Sequence, residues 1–310
     1  MKTVEEFNGY NADFLGVAIN LPLLDAQQLE DIAKIDDEHN GVLNYRNYSL
    51  ILSESQRFPY VTGSNIDGGM IRKLARKDRW RIDDRVPNFQ WGKELYSLKG
   101  ISLDRGHMVK REDVQWGKDD VDAFKNADST FFYSNAVPQH KKLNRKIWRS
   151  LESYILNSEA KKNDLKISVF TGPVLTKSNP ILRLAVKGQL VAVPVLFWKV
   201  VFFKKTDGKV YRVGFLMSQK SLLEEDGYID ELETAVLEDQ LFLQFKEAAT
   251  YQVNIGTIES LSGLTFQSAL DPYLDSRPIK LILKEVDVES ELENFTEEGN
   301  SSLIIENIIL

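Results

Sequence analysis

Leu103-Asp104-Arg105-Gly106-His107-Met108 is the stretch on which the rest of the chain depends, together with a second block further along. The second block reads Ser134-Asn135-Ala136-Val137-Pro138-Gln139, then Leu143-Asn144-Arg145-Lys146-Ile147-Trp148, and then Leu151-Glu152. Both blocks place charged or proton-binding side chains between apolar positions that can enter a core. We therefore take them as the two halves of one candidate site.

The secondary structure around these blocks follows from their patterns. Ser97 to Asp104 predicts a short strand that runs into a corner at Arg105-Gly106-His107, and Thr130-Phe131-Phe132-Tyr133 predicts a compact buried strand. From His140 to Leu156, apolar residues recur four apart, which is the spacing of one face of a helix. We therefore expect the first block on a strand and the second on a helix.

The rest of the chain alternates strand-like and helix-like segments without an internal repeat. Apolar or alternating runs predict strands at Asn47 to Ser53, Arg57 to Ile66, Ile167 to Thr171, Leu190 to Phe203 (a strand pair or one bent strand) and Val210 to Met217. Ser221 to Ala249 predicts a helix interrupted at Asp226-Gly227, and Thr257 to Leu264 predicts a short helix that ends at a glycine. This mixture predicts an α+β domain over residues 1–275, followed by an extension over residues 276–310 that is acidic and then apolar.

Composition limits the classes of protein that fit. The 310 residues are 43% hydrophobic and 27% charged, as in soluble globular proteins. The net charge of −7 does not itself indicate a nucleic-acid binder, so such a role must rest on local basic patches. Cysteine is absent, which excludes disulfides and thiolate metal sites. The N-terminus has no apolar run of signal-peptide length, and no segment has the length and apolar character of a membrane span. We therefore expect a cytoplasmic protein without a membrane partner, with export by a leaderless route as the alternative.

Hydrolysis of a phosphodiester is the chemistry that these residue types fit. An attacking water must lose a proton, and charge that develops on the phosphate must be stabilised. Histidine is the side chain that titrates nearest neutrality, so His107, one of three histidines, is the candidate base. Arg105 offers a fixed cation with fork-shaped donors for a phosphate. Gly106 allows a sharp bend or a close approach of substrate.

Asn144 is the candidate ligand of a divalent cation. Mg²⁺ takes oxygen ligands and keeps several waters, so one asparagine oxygen with phosphate oxygens can suffice. The cations near it in the sequence would counter the phosphate backbone locally, and they are Lys141, Lys142, Arg145, Lys146 and Arg149. Glu152 lies roughly 12 Å further along a helix at about 1.5 Å per residue, too far to share one ion with Asn144. We expect Glu152 to bind a water of the metal or to hold an arginine.

Each of these residues also fits a structural role. Asp-Arg-Gly-His alone can be an ordinary turn with an ion pair, and an asparagine in a helix is usually solvated or a cap. The Lys/Arg run can be a solvated face, and Trp148 is more typical of a core than of a base-stacking platform. His140 fits a helix-start or surface position, and His39 a solvated loop. From composition and spacing alone, a metal-dependent hydrolase is one interpretation among several.

Taken together, the blocks resemble the DNA/RNA non-specific endonucleases of the ββα-metal (His-Me finger) superfamily, which includes mitochondrial endonuclease G. Asp104-Arg105-Gly106-His107 is similar to the signature tetrad of that family, and Ser134-Asn135 to Leu151-Glu152 to its second block. Similar motifs elsewhere are Leu43-Asn44-Tyr45, Asn65-Ile66-Asp67-Gly68, Trp80-Arg81-Ile82-Asp83, Phe170-Thr171-Gly172-Pro173-Val174 and Phe197-Trp198-Lys199-Val200. The resemblance implies an α+β fold with a central antiparallel sheet flanked by helices and a ββα-metal active-site motif.

The resemblance also implies a role for each matched residue. His107 would be the general base, Arg105 would stabilise the phosphate, and Asn144 would be the sole direct protein ligand of Mg²⁺, with Mn²⁺ or another divalent ion as alternatives. Glu152 would orient a metal-bound water or Arg105, and Asn135 would support His107 or the substrate. The cations expected to bind the substrate backbone are Arg72, Arg76, Arg79, Lys141, Arg145 and Arg149.

The activity implied is Mg²⁺-dependent, sequence-nonspecific cleavage of DNA and RNA to 5′-phosphate and 3′-hydroxyl ends. An unrestrained nuclease would be toxic in its own cytoplasm, so we also expect a protein inhibitor or regulatory partner, or an effector of defence or a toxin switched on under stress. Homodimers are frequent among the relatives. A non-catalytic nucleic-acid or protein-binding module on a nuclease scaffold, and a phosphodiesterase of small nucleotides, are the alternatives. The presence of His107, Arg105, Asn144 and Glu152 together argues against the module.

Overall fold

A long antiparallel sheet forms the body of the molecule. The computed structural model describes residues 7–35, 41–148, 151–152, 155, 164–230, 245, 248–287, 301–305 and 307–310. Within them the strands are β1 (Val42–Asn44), β2 (Tyr48–Leu52), β3 (Pro59–Asp67), β4 (Leu103–His107), β5 (Ala136–His140), β6 (Lys166–Pro173), β7 (Leu196–Lys204), β8 (Val210–Ser218), β9 (Thr250–Val253), β10 (Ile279–Lys280), β11 (Leu283–Asp287) and β12 (Ser301–Ile305). Eight of these form the main sheet in the order β1-β2-β3-β6-β7-β8-β9-β10, and β4–β5 and β11–β12 form separate pairs.

The centre of the sheet is buried on both faces. All nine residues of β3 are buried, as are the first seven of β7. Both faces of β7 are covered, so this strand is a nearly continuous apolar run. Lys199 in the middle of β7 is the exception, since it is a charged residue only 1% exposed.

Most strands lie where the sequence patterns predicted them. The strands predicted at residues 47–53, 57–66, 167–171 and 210–217 correspond to β2, β3, β6 and β8. The apolar run from Leu190 is neither a strand pair nor a bent strand. It becomes a strand only at Leu196, because Pro194 has no N–H for a ladder hydrogen bond.

The strand predicted over Thr130 to Tyr133 is wrong, although these residues are buried as expected. Ser129 Oγ donates a hydrogen bond to the Asn126 carbonyl, and Thr130 Oγ1 donates to the Ala127 carbonyl. Such bonds from hydroxyl groups back to a helix compete with strand pairing. Within the segment only Phe132 makes a bridge, to Arg81, and a 3₁₀ turn begins at Tyr133.

The helices are short and lie around the sheet. In the described residues they are α1 (Ala26–Glu30), α2 (Asp120–Asp128), α3 (Lys220–Glu225) and α4 (Ile255–Ser262). The helix predicted over 257–264 is α4, and it ends at Gly263 in the left-handed region with φ 71°. The helix predicted over 221–249 begins as α3 and stops before Gly227, which has φ 66°. Residues 231–244 of that prediction lie outside the described residues.

The two blocks of sequence form one ββα unit. β4 pairs antiparallel with β5, opposing His107 to Ala136 and Asp104 to Gln139. The tetrad is therefore not a corner, because the strand continues through His107. The chain then turns into a π-helical segment at Leu143–Trp148, and residues 151–152 are also helical. The α+β fold with a central antiparallel sheet is confirmed.

The end of the chain packs onto the same sheet. β10 pairs with β9, and the Gln252 side chain makes hydrogen bonds to both the N–H and the carbonyl of Ile309. Ile308 and Leu310 line an apolar pocket with Ile155. The division of the chain at residue 275 stays a prediction. Among the described residues, no helix has the length and apolar character to cross a membrane.

Candidate active site

His107 ends β4 in an aromatic corner. Its ring centroid lies 4.5 Å from that of Trp80 and 5.1 Å from that of Phe131. The residue is half-buried, and its Nε2 is buried without a hydrogen-bond partner. Burial, and next the positive charge of Arg76, lower the pKa of His107 to about 3. The imidazole is therefore neutral at neutral pH, the form that can accept a proton from water.

Arg105 lies between two aromatic rings. Its guanidinium carbon is 5.8 Å from the ring centroid of Trp80 and 5.8 Å from that of Tyr96. Tyr96 stacks in turn on Tyr133, with 6.0 Å between centroids. These contacts hold a cation through the π faces and use none of its N–H donors, and Arg105 Nε is buried without a partner. Donors of the guanidinium therefore remain for an anion.

Asn135 fixes the backbone that follows His107. Its Oδ1 accepts from the Val109 N–H at 2.9 Å, and its Nδ2 donates to the carbonyls of Val109 and Thr130 at 3.0 and 3.1 Å. Its own carbonyl accepts from the Met108 N–H. Asn135 is completely buried, so of the two roles expected for it the geometry fits support of His107, not contact with substrate.

Asp104 orients Asn144. Asn144 Nδ2 donates to Asp104 Oδ2 at 3.1 Å, and Arg145 donates to both oxygens of the same carboxylate at 2.8 and 3.0 Å. An ionised carboxylate only accepts hydrogen bonds, so the amide nitrogen must face Asp104. The Asn144 carbonyl oxygen points elsewhere and is available to a cation.

The Gln139 side chain crosses Gly106 and leaves no room for a Cβ at this position. A Cβ at this position would lie 2.2 Å from both Cδ and Oε1 of Gln139. Gln139 is completely buried, and both of its amide atoms lack hydrogen-bond partners. Gln139 belongs to the second sequence block, but the sequence predicts no role for it. The pairing of β4 with β5 brings it over the tetrad, and sequence spacing alone does not show that pairing.

Glu152 contacts a lysine of the central sheet. Its Oε1 lies 3.7 Å from Lys199 Nζ and has no hydrogen-bond partner. Burial raises the pKa of Glu152 to about 7, although the charges of Lys199 and Lys110 oppose the rise. Glu152 is expected to bind a water of the metal or to hold an arginine. The cation that the structure places beside it is Lys199, and the role toward a metal-bound water stays a prediction.

The cations expected to bind substrate are mostly engaged within the chain. The ion pairs are Arg72–Asp120 at 3.7 Å, Arg76–Asp78 at 2.6 Å, Arg79–Asp128 at 3.9 Å and Arg145–Asp104 at 2.8 Å. Lys141 is exposed, and Arg149 lies outside the described residues. A nucleic acid would compete with these carboxylates, and a substrate-binding role for the six cations stays a prediction.

The two other histidines, His140 and His39, have no catalytic role in this interpretation of the site. His140 is 4% exposed and not a surface residue. Its Nδ1 accepts from the Lys142 N–H, so it does stand at the start of a helix as expected. With Nδ1 accepting, the proton is on Nε2, which donates to Asp226 Oδ2 at 2.8 Å. His39 lies outside the described residues.

Comparison with models of known protein families shows the family to which the chain belongs. The model of the DNA/RNA non-specific endonuclease family matches residues 32–272, which include both β strands of the ββα unit and the π-helical segment. The chain belongs to this family.

Named relatives come from bacteria, fungi and animals. The protein y4fB of Sinorhizobium fredii is 32% identical over 68% of this chain and 32% of its own length. Endonuclease G of human mitochondria is 28% identical over 62% of this chain and 57% of its own length. Nuclease C1 of Cunninghamella echinulata is 25% identical over 74% and 83%. This chain thus spans less than two thirds of the length of y4fB and of human Endonuclease G.

The fold also matches a solved endonuclease. A crystal structure of the EndoG/EndoGI complex, solved to describe the mechanism of EndoG inhibition, aligns with a TM-score of 0.51 at 22% identity. The match covers 73% of this chain and 84% of that chain. At this identity the likeness shows a shared fold, and the residues of the candidate site rest on the geometry above.

The donor set fits a hydrated divalent cation and a phosphate. Buried polar atoms are normally paired, so unmatched ones mark a place built for a polar ligand. In the described part of the site these atoms are Arg105 Nε, His107 Nε2, both amide atoms of Gln139 and Glu152 Oε1. The described residues contain no group of three or more His, Asp or Glu that could cage a metal. A cation here would rest on the Asn144 oxygen, phosphate oxygens and water, which suits Mg²⁺.

Proposed function

We propose that this protein is a divalent-metal-dependent endonuclease that cuts DNA and RNA without sequence preference, with Mg²⁺ as its natural ion and Mn²⁺ as a substitute. The observation that carries the proposal is the cluster of unmatched polar atoms around Arg105 and His107, in the same ββα unit as an Asn144 oxygen directed away from Asp104. Relatives that are named nucleases support it. Contacts to the phosphate backbone carry no sequence information, which explains loose specificity.

The chemistry divides among three side chains. The neutral imidazole of His107 would take a proton from the attacking water. Arg105, held between Trp80 and Tyr96, would stabilise charge on the phosphate. Asn144 would hold the divalent ion, which when bound supplies positive charge beside the leaving 3′ oxygen. The bond from phosphorus to that oxygen breaks as the bond to the water oxygen forms, and the departing 3′ oxygen takes a proton from solvent water. The products therefore carry 5′-phosphate and 3′-hydroxyl ends.

A nicking assay tests the function. Supercoiled plasmid and single-stranded RNA are incubated with the full chain in Mg²⁺ or EDTA, alongside His107→Ala. We expect cutting in Mg²⁺, none in EDTA, and a loss of about 100-fold or more in His107→Ala, the usual contribution of a general base. The products should be ligatable and should accept a kinase label only after dephosphorylation. Binding without cutting would support the non-catalytic module, and cleavage of a dinucleotide but not of plasmid would support the small phosphodiesterase.

We also propose that a protein partner restrains the enzyme, and that it acts as a homodimer in the cytoplasm, as an effector of defence or as an exported toxin. The solved complex of EndoG with EndoGI shows that a protein of this fold can be held by another protein. Light scattering of the purified chain tests the dimer. Affinity capture from the source cells, with loss of nicking on adding back the captured protein, tests the inhibitor.

The C-terminal extension is the second proposed restraint. Ile308 and Leu310 pack beside Ile155, which lies three residues beyond Glu152 in the sequence. We expect a version that ends at Ser276 to cut DNA faster than the full chain. Gln252→Ala removes the two side-chain hydrogen bonds to Ile309 in the full chain and should show a smaller rise. Equal rates for all three proteins would contradict restraint by the tail.

A further inference from the structure

A buried lysine lies beneath the candidate site and has no role in the chemistry described so far. Lys199 is 1% exposed, and its Nζ donates to Thr171 Oγ1 at 2.9 Å. The same Nζ lies 3.7 Å from Glu152 Oε1. A charged group is taken out of water only at a high free-energy cost, so a lysine in the middle of a central strand calls for an explanation.

The face of the strand shows what Lys199 serves. Side chains alternate along a strand, so Lys199, Val201 and Phe203 lie on one face of β7. Val201 and Phe203 line the apolar pocket against Ile155. Glu152 comes three residues before Ile155, about 4.5 Å along a helix, and meets Lys199 two residues before Val201. The helical residues after Asn144 therefore dock on this face, with one charged contact among apolar ones.

The charge of the same ammonium also acts on a carboxyl in the turn that follows His107. Asp113, in the turn Arg111–Val114, is 4% exposed, and burial raises its pKa while the charge of Lys199 opposes the rise. Lys110 acts on Asp113 and Glu152 in the same sense, and Glu112 acts against both. Two buried carboxyls, one from each half of the site, thus share the field of Lys199.

We propose that Lys199 is a positioning residue of the endonuclease site, which holds the Glu152 carboxylate in place and ionised beneath the ββα unit. The inference rests on the proposed function for its kinetic consequence. Lys199 is not placed to touch the phosphate. Its role is to keep the Glu152 carboxylate charged and fixed against β7, and so to hold the helical residues after Asn144 on this face of the sheet.

Three variants of the full chain test the proposal. Lys199→Met keeps length and apolar volume and removes the charge, whereas Lys199→Arg keeps the charge. Lys166→Met is the matched control, since Lys166 Nζ lies 3.7 Å from Asp67 on a neighbouring strand and is half exposed. We expect Lys199→Met to lower kcat for plasmid nicking by about 10- to 100-fold, as removal of residues that support a metal site usually does. KM should change little, Lys199→Arg should recover part of kcat, and Lys166→Met should match wild type.

A second readout needs no metal. The Glu152 carboxyl, assigned by comparison with Glu152→Gln, is titrated by ¹³C NMR in EDTA. Its pKa should be about 7 in the wild type and higher in Lys199→Met, because the charge that stabilises the carboxylate is gone. An unchanged pKa together with a wild-type kcat in a folded Lys199→Met would overturn the inference.

A double variant covers the case in which Lys199→Met does not fold. Glu152→Gln with Lys199→Met leaves one fewer unpaired buried charge, so it should be more stable than Lys199→Met alone. If Lys199 acts through Glu152, this double variant should nick no more slowly than Glu152→Gln. Additive losses would overturn the inference. A wild-type chain that cuts no nucleic acid would instead overturn the proposed function.

Discussion

Asp104 and Asn144 meet across the ββα unit, with Asn144 Nδ2 donating to Asp104 Oδ2 at 3.1 Å. The bond joins the first residue of the Asp-Arg-Gly-His tetrad to the candidate metal ligand on the π-helical segment. It settles which end of the Asn144 amide is turned toward the carboxylate. The carboxylate also engages Arg145, so a single side chain organises two residues that follow β5.

We predict that Asp104→Ala raises the Mg²⁺ concentration needed for nicking and has a smaller effect on the stability of the fold. Without the carboxylate the Asn144 amide can rotate and present nitrogen in place of oxygen. We expect the Mg²⁺ concentration for half-maximal nicking to rise about 10- to 100-fold, the usual effect of losing a residue that orients a metal ligand. Asp128→Ala is the control. Asp128 also forms ion pairs with arginines, but it lies on α2. An unchanged Mg²⁺ requirement in Asp104→Ala would show that Asn144 is not oriented in this way.

Gly106→Ala should damage the site through a clash. The new Cβ would lie 2.2 Å from the side chain of Gln139, which is completely buried. We expect the free energy of unfolding to fall by about 1–3 kcal/mol, as is common for overpacking, together with a loss of nicking. Chemical denaturation measures the first quantity.

Two controls isolate the clash. Gly256→Ala lies in α4, where the nearest atom is 3.5 Å from the new Cβ, and should leave stability equal or higher. Gly106→Ala combined with Gln139→Ala removes the obstructing side chain and should recover stability. If it does not recover, Gly106 is needed for some other reason.

Asn135→Ala should lower both stability and activity. The side chain makes three hydrogen bonds to backbone groups of Val109 and Thr130, and its loss leaves buried partners unpaired. Each such group costs about 1–3 kcal/mol, so a loss of several kcal/mol in the free energy of unfolding is expected. Asn126→Ala removes a partly buried bond to the Trp116 carbonyl and a long bond from Arg46, so it should be milder and should leave kcat unchanged. A stable Asn135→Ala with wild-type kcat would contradict the support of His107 by Asn135.

The sequence predicted the local structure of the site but not the contacts between its distant segments. The tetrad on a strand and Asn144 on a helix followed from spacing and from the resemblance, and the strands β2, β3, β6 and β8 followed from apolar runs. The partners of these residues did not. The contacts of Asp104 with Asn144 and of Lys199 with Glu152 depend on which distant segments pack together.

One local error and one unpredicted contact have causes in the nearby sequence. The missing strand at Thr130 follows from hydroxyl groups that bond back to α2. Arg105 between Trp80 and Tyr96 could be partly foreseen, because Trp80 interrupts a basic run. Tyr96 carries no such signal, although it is close to the tetrad in sequence, because it sits in a short 3₁₀ turn and not in a patterned strand or helix.

The pH dependence of cleavage should report Glu152 and not His107. Burial raises the pKa of Glu152 to about 7, whereas burial and Arg76 lower the pKa of His107 to about 3. Both groups act in their deprotonated forms, so kcat/KM should fall as pH drops through about 7, and His107 protonation should matter only at far lower pH. Glu152→Gln should therefore be slower and lose the acid limb near neutrality. Asp226→Asn, which alters the partner of the buried His140, should keep the wild-type profile. An acid limb near pH 7 that persists in Glu152→Gln would instead assign that limb to His107, and would mean that the imidazole is far more accessible to protons than its contacts with Trp80 and Phe131 indicate.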